Sequence, residues 1–149
     1  MLQRFQQFST AISCLYHDIQ KIERVEMARY ALKGPHAQCL LVMAGYPEGI
    51  TSTELTEQCE KDKAAISRAV AELEEAGLLV RSQKDGLRYR ARLVLTPEGQ
   101  EAAQKVISRV QLAVERAGAG LDEEERAIFY RVLGRIAENL HAVCEEGLE

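Results

Sequence analysis

The chain has 149 residues and a mass of 16.7 kDa, enough for one compact domain with flanking helices and too short for a multidomain enzyme. Its 46 % hydrophobic and 28 % charged residues, with only three prolines, are the composition of a chain that buries a core rather than one that stays disordered. The net charge of −4 is unevenly spread: Lys61 to Arg92 holds eight Lys/Arg against five acids, a local +3 that leaves −7 for the remainder. Screening confines exposed charges to about 10 Å, so the middle of the chain is the surface that attracts a polyanion. No apolar run reaches a bilayer-spanning length, and MLQRFQQFST lacks the basic-then-apolar order of a secretory signal. A soluble, cytoplasmic protein with no membrane partner is the expectation. Cys14, Cys39, Cys59 and Cys144 show no CxxC spacing, which fits reduced thiols rather than a disulfide scaffold.

In chain order, Leu2, Phe5, Phe8, Ile12, Leu15, Ile19, Ile22 and Val25 recur every three or four residues, predicting one amphipathic helix over 1–32 that Gly34-Pro35 stops. A short helix follows from His36 to Gly45, closed by the Tyr46-Pro47-Glu48-Gly49 turn, with Ile50 as a single-residue strand stub. Thr51-Ser52-Thr53-Glu54 is an S/T-x-x-E start, so Thr51 or Ser52 caps a helix running to about Cys59. After a polar turn from Glu60 to Lys63, Asp62 caps a second helix. Its Ile66, Val70 and Leu73 share one face against Leu55. Two short helices joined this tightly form a helix-turn-helix.

Gly77 ends that second helix, and Leu78-Leu79-Val80 reads as a strand returning through Asp85-Gly86 into a second strand from Leu87 to Leu95. Alternation there puts Leu87, Tyr89, Ala91, Leu93 and Leu95 on one face and Arg88, Arg90 and Arg92 on the other, about 6.6 Å apart. Thr96-Pro97 then opens a helix that ends at Gly118-Ala119-Gly120. Asp122 and Glu125 form a capping box for a last helix bearing Ile128, Phe129, Val132, Leu133, Ile136, Leu140 and Val143. The predicted fold is mainly α with a small antiparallel β-wing: a winged helix-turn-helix over 33–95 between dimerisation helices at 1–32 and 96–149. The apolar stripes of these terminal helices exceed what the middle segment can cover, which predicts a homodimer.

Three stretches, TSTELTEQCEKDKAAISRAVAELEEAGLLVRS, the D-x-x-R of Asp85 and Arg88, and LVLTPEGQEAA, resemble the MarR family of bacterial winged helix-turn-helix transcription regulators. The resemblance extends over most of the chain, including the terminal helices, which fit that family's dimerisation region. Its most specific pieces are D-K-x-x-I-S-R, E-x-x-G-L-L-V-R and L-T-P-E-G. The stretch from Asp85 to Leu95 is slightly longer than the family's pattern, so Arg88 and Arg90 are alternatives for the groove-reading wing position, Arg88 first.

In a helix-turn-helix the second helix enters the major groove with its N-terminal residues at the base edges. Here these are Lys63 near a phosphate, Ala64 where close approach or a thymine methyl is met, Ser67, and Arg68, whose guanidinium grips a guanine edge. Against this, Arg68 lies four residues before Glu72 and can spend itself in a surface ion pair. Ser52 and Thr53, opening the preceding helix, offer hydroxyls and free amides to a phosphate. The wing, with Lys84 at its turn, places Arg88 or Arg90 in the adjacent minor groove. The expected partner is a double-stranded DNA operator, an inverted repeat with half-sites roughly 10 base pairs apart.

The resemblance implies a regulator, with repression the first expectation, whose reading heads are moved by a signal at the dimer side: a small aromatic ligand, cysteine oxidation or metal. Cys14, with Tyr16 nearby, is the residue to which an oxidant-sensing branch points; as a residue it is equally a small apolar packing group. Every histidine lies three residues from a cysteine, as Cys14/His17, His36/Cys39 and His141/Cys144, each pair half a zinc site or plain core packing. No cofactor is expected. Enzyme chemistry finds no glycine-rich phosphate loop, nucleophile motif or histidine beside paired acids. A winged helix used as a protein-interaction module calls for an acidic or apolar reading surface, and this one is basic.

Overall fold

A computed structural model describes residues 2–82 and 91–147. Among these residues, six helices and two strands follow in the order α1 (Leu2–Ala28), α2 (Gly34–Ala44), α3 (Ser52–Cys59), α4 (Lys63–Glu75), β1 (Leu79–Ser82), β2 (Arg92–Leu95), α5 (Pro97–Ala117) and α6 (Glu123–Glu146). The fold is mainly helical with a two-stranded antiparallel wing, as the periodicities predict. The chain divides into two compact units, Met1–Gln111 and Leu112–Glu149. No helix among the described residues is long and apolar enough to cross a membrane.

In the first unit α2 is the centre, packed against α1, α3, α4 and β2. Its Ala37, Cys39, Leu40 and Met43 meet Met27 of α1, Leu55 and Cys59 of α3, and Ile66, Val70 and Leu73 of α4, all buried. Leu93 and Leu95 of β2 close the core from the wing side, and Ala102, Ala103 and Val106 do so from α5. The strands pair from Leu79↔Leu95 to Ser82↔Arg92. Ile50, the predicted stub, exchanges both backbone hydrogen bonds with Leu93, at 3.0 and 2.8 Å.

Helix starts fall where the capping residues predict them. Thr51 Oγ1 accepts the Glu54 amide while the Thr51 amide donates to Glu54 Oε2. Asp62 accepts the Ala65 amide at 2.8 Å, and Thr96 accepts that of Gly99. The ends of α3 at Cys59 and α5 at Ala117 fall where the sequence reading puts them, but the junction between α1 and α2 departs from it. α1 stops at Ala28, not near Leu32, because Ala31 turns left-handed (φ 57°) and Leu32 N–H reaches back to the Met27 carbonyl. Gly34-Pro35 therefore opens α2, with proline in its first turn, rather than closing α1. The turn between α3 and α4 spans Glu60 to Asp62, since Lys63 is already helical. β1 begins at Leu79 and extends to Ser82, one residue later than expected at its start, because Leu78 N–H completes the α4 terminus on the Leu73 carbonyl.

In the second unit, Asp122 caps α6 in a reciprocal box with Glu125. Arg126 ties the preceding turn by donating to the Gly118 carbonyl at 2.7 Å. No residue of α6 is buried, and Ile128, Phe129, Val132, Ile136, Leu140 and Val143 are all exposed.

Candidate nucleic-acid interface

The α4 helix has two faces. Ile66, Ala69, Val70 and Leu73 point into the core, and this fixes what the opposite side presents: Lys63, Ala64, Ser67 and Arg68 are exposed together over the first turn and a half. A methyl, a hydroxyl and two cations on one protruding helical surface form a shape that fits a groove floor with phosphates at its rim. Ser52 and Thr53 are exposed in the first turn of α3. The cap hydroxyl is Thr51's, so Ser52 and Thr53 keep their own hydroxyls out of that box. Both lie where first-turn amides lack helical acceptors, the arrangement that attracts a phosphate. Lys84, Arg88 and Arg90 lie outside the described residues.

Arg92, third in the predicted arginine row, is committed elsewhere: its Nη1 donates to the Gly49 carbonyl at 2.9 Å. Gly49 itself holds φ +92°, and a Cβ there would lie 2.9 Å from both Arg92 Cβ and Val94 Cγ2. The loop that delivers Ile50 to β2 thus needs a glycine. Nearby, the two Thr51 hydrogen bonds, helped by Arg92, hold the Glu54 carboxyl below the usual glutamate range.

The alternative Arg68–Glu72 ion pair does not form among the described residues. Glu72 Oε2 instead lies 2.7 Å from His36 Nε2 of α2, while Arg68 makes no ion pair among the described residues. The His36 ring is 4 % exposed, and its Nδ1 sits against the Lys33 amide and carbonyl at 3.1 and 3.0 Å. The Glu72 carboxylate approaches closely but off the axis of an ideal hydrogen bond, so Nε2 has no aligned partner among the described residues. Glu74 is drawn to Arg81 of β1 at 3.1 Å.

Sequence reasoning missed a cavity of about 590 Å³ in this unit, lined from α1 by Tyr16, Ile19, Gln20, Glu23 and Arg24 and from the next segment by Leu32, Lys33, Pro35 and Gln38. Lys61, in the turn between α3 and α4, completes it. Burial pushes the Glu23 carboxyl up, and Lys61 partly opposes this. No linear signal announces such a pocket, since its walls come from three separate segments. The histidine–cysteine spacing has a different outcome. Interaction with the neighbouring Cys59 thiol across the α2–α3 contact, together with burial, pushes the Cys39 thiol up. His36 is engaged by Lys33 and Glu72, and Cys14 and Cys144 are exposed. Among the described residues no three His, Cys, Asp or Glu side chains gather closely enough to hold a metal ion.

Comparison with known proteins gives the same picture. A sequence model of the MarR family matches residues 32–86. A Thauera aromatica protein described as a transcriptional regulatory protein for the hcr operon is 31 % identical over 97 residues, covering 65 % of this chain. The chain spans 58 % of that relative's length. Among solved structures, a MarR transcriptional regulator from Methanosarcina mazei superposes with a TM-score of 0.79 at 21 % identity, over 93 % of this chain and 92 % of that one. A MarR family regulator from Listeria monocytogenes, solved with a 26mer DNA, gives 0.78 at 21 % identity, over 94 % and 95 %. At these identities the likeness is one of fold.

Proposed function

The chain belongs to the MarR family of winged-helix proteins, and from that premise we propose that it is a transcriptional regulator, a repressor in the first instance, that binds double-stranded DNA as a homodimer. The observation that carries the reading is the exposed α4 face of Lys63, Ala64, Ser67 and Arg68, held rigid by the buried face behind it. In this reading Arg68 and Ala64 meet base edges in the major groove, and Lys63, Ser67 and the α3 start at Ser52 and Thr53 hold phosphates. The wing supplies Lys84 at the backbone and Arg88, or else Arg90, in the minor groove. A second copy docks through the dimerisation helices of 1–32 and 96–149, several of whose apolar residues, among them Leu2, Phe5, Phe129 and Leu140, stand uncovered, and two reading heads then match an inverted repeat. The Listeria monocytogenes relative solved with DNA supports duplex DNA as the partner.

The cavity beside Lys61 supports release by a small molecule. Its volume suits a small ligand, and its apolar walls with three cations, Arg24, Lys33 and Lys61, against the one carboxylate of Glu23 suit an aromatic acid. Lys61 belongs to the turn that carries α4, so a ligand drawing on it bears on the reading head.

The test is binding of the full chain to random-sequence duplex across a salt series. Phosphate contacts release counterions, so affinity should fall steeply, by about a hundredfold or more between 50 and 200 mM salt. Binding that is absent at low salt, or indifferent to salt, contradicts the proposal.

A further inference from the structure

We propose that His36 is a positioning residue for DNA reading: from inside the scaffold it holds the Glu72 carboxylate away from Arg68, so that the arginine stays free for DNA. The inference rests on the DNA-binding reading above. Arg68 and Glu72 stand four residues apart on an exposed helix, the spacing at which such pairs normally form. An arginine so paired has its charge offset by a carboxylate that would also lie close to the incoming phosphates. Here the carboxylate instead meets His36 Nε2 of α2 at 2.7 Å.

The histidine is built to stay in place. It is 4 % exposed near the start of α2, and its Nδ1 faces both an amide donor and a carbonyl acceptor of Lys33. The neutral ring accepts the amide and presents Nε2–H to Glu72. The protonated ring turns its second N–H to the carbonyl and keeps the same contact. Glu72 is also the only partner that the buried Nε2 approaches among the described residues. Burial of one member beside a half-exposed carboxylate makes this a firmer contact than a surface pair between two long, mobile side chains.

Two binding cycles, read by fluorescence anisotropy on a duplex selected by the wild-type protein, test the idea. His36→Leu should weaken binding about fivefold with the circular-dichroism melt still cooperative, and adding Glu72→Gln should restore affinity to within about twofold of Glu72→Gln alone. A merely structural loss would persist in the double variant, and that result would overturn the proposal. Should His36→Leu not fold, the cycle between Arg68→Ala and Glu72→Gln decides in an otherwise native chain. The two effects should be independent within about twofold, and coupling above about fivefold would mean that Arg68 and Glu72 already interact. A wild-type protein that bound no duplex would instead defeat the functional reading. In that case the His36/Glu72 contact still answers to a denaturant-stability cycle, where zero coupling would remove it.

Discussion

Ala31 and Glu60 both hold left-handed backbone, with φ of 57° and 50°, at helix ends where Gly77 does the same at 74°. In each case the next residue's amide reaches back to the carbonyl five residues earlier: Leu32 to Met27, Lys61 to Thr56, Leu78 to Leu73. Only Gly77 was legible from sequence, because a side chain at the other two makes the conformation costly and so removes the signal that marks it. Ala31→Gly should therefore raise stability by about 1 kcal/mol, read as a higher denaturation midpoint. Gly49→Ala should lower it by at least as much, because φ +92° and the Arg92 and Val94 side chains both oppose a Cβ. The same limit explains why Arg68 was read ambiguously. Its neighbour in sequence, Glu72, was visible, while the competing histidine lies 36 residues earlier in the chain and meets Glu72 only once α2 packs on α4.

At the scale of elements, side-chain-capped starts and glycine-marked ends were legible, whereas the α1–α2 junction was not, since α1 ends at Ala28 and α2 begins at Gly34. Thr51, Asp62, Thr96 and Asp122 cap within three residues of themselves, so their signatures survive in a linear pattern. Thr51→Ala should cost about 1 kcal/mol and loosen α3, measured by thermal melting. The box also gives a pH dependence. Glu54 has a folded pKa below its ordinary value, so its stabilisation is complete above the ordinary glutamate pKa and is lost as pH falls from there through the lowered value. Glu54→Gln should remove that part of the acid limb from a stability–pH curve. Close packing sets a further constraint that was not visible in sequence: a Cβ on Gly99 would overlap the Leu78 carbonyl, because the first turn of α5 lies directly against the residue that leads into β1. The alternation of Ala91, Leu93 and Leu95 into the core was legible, since the period of a strand needs no distant partner.

For the whole molecule, the decisive fact is what the single chain leaves uncovered. α6 runs 24 residues without burying one, and Leu140 and Phe129 remain 54 % and 46 % exposed. Leu2, Phe5 and Leu15 on α1 stand out equally. If this apolar surface is the proposed homodimer interface, Leu140→Glu should shift sedimentation from dimer to monomer and weaken DNA binding with it. That excess was readable from periodicity alone, whereas the cavity beside Lys61 was not, because α1, α2 and the α3–α4 turn must converge to form it. The central claim is that the exposed face of α4 reads DNA, and the most direct measurement is the affinity of Arg68→Ala for a duplex selected by the wild-type protein. Loss of at least about fivefold with oligomeric state and melting point unchanged is the expected result, since a guanidinium on a base edge accounts for about 1–3 kcal/mol. Equal affinity of the two proteins would place the DNA, if it binds, on some other surface.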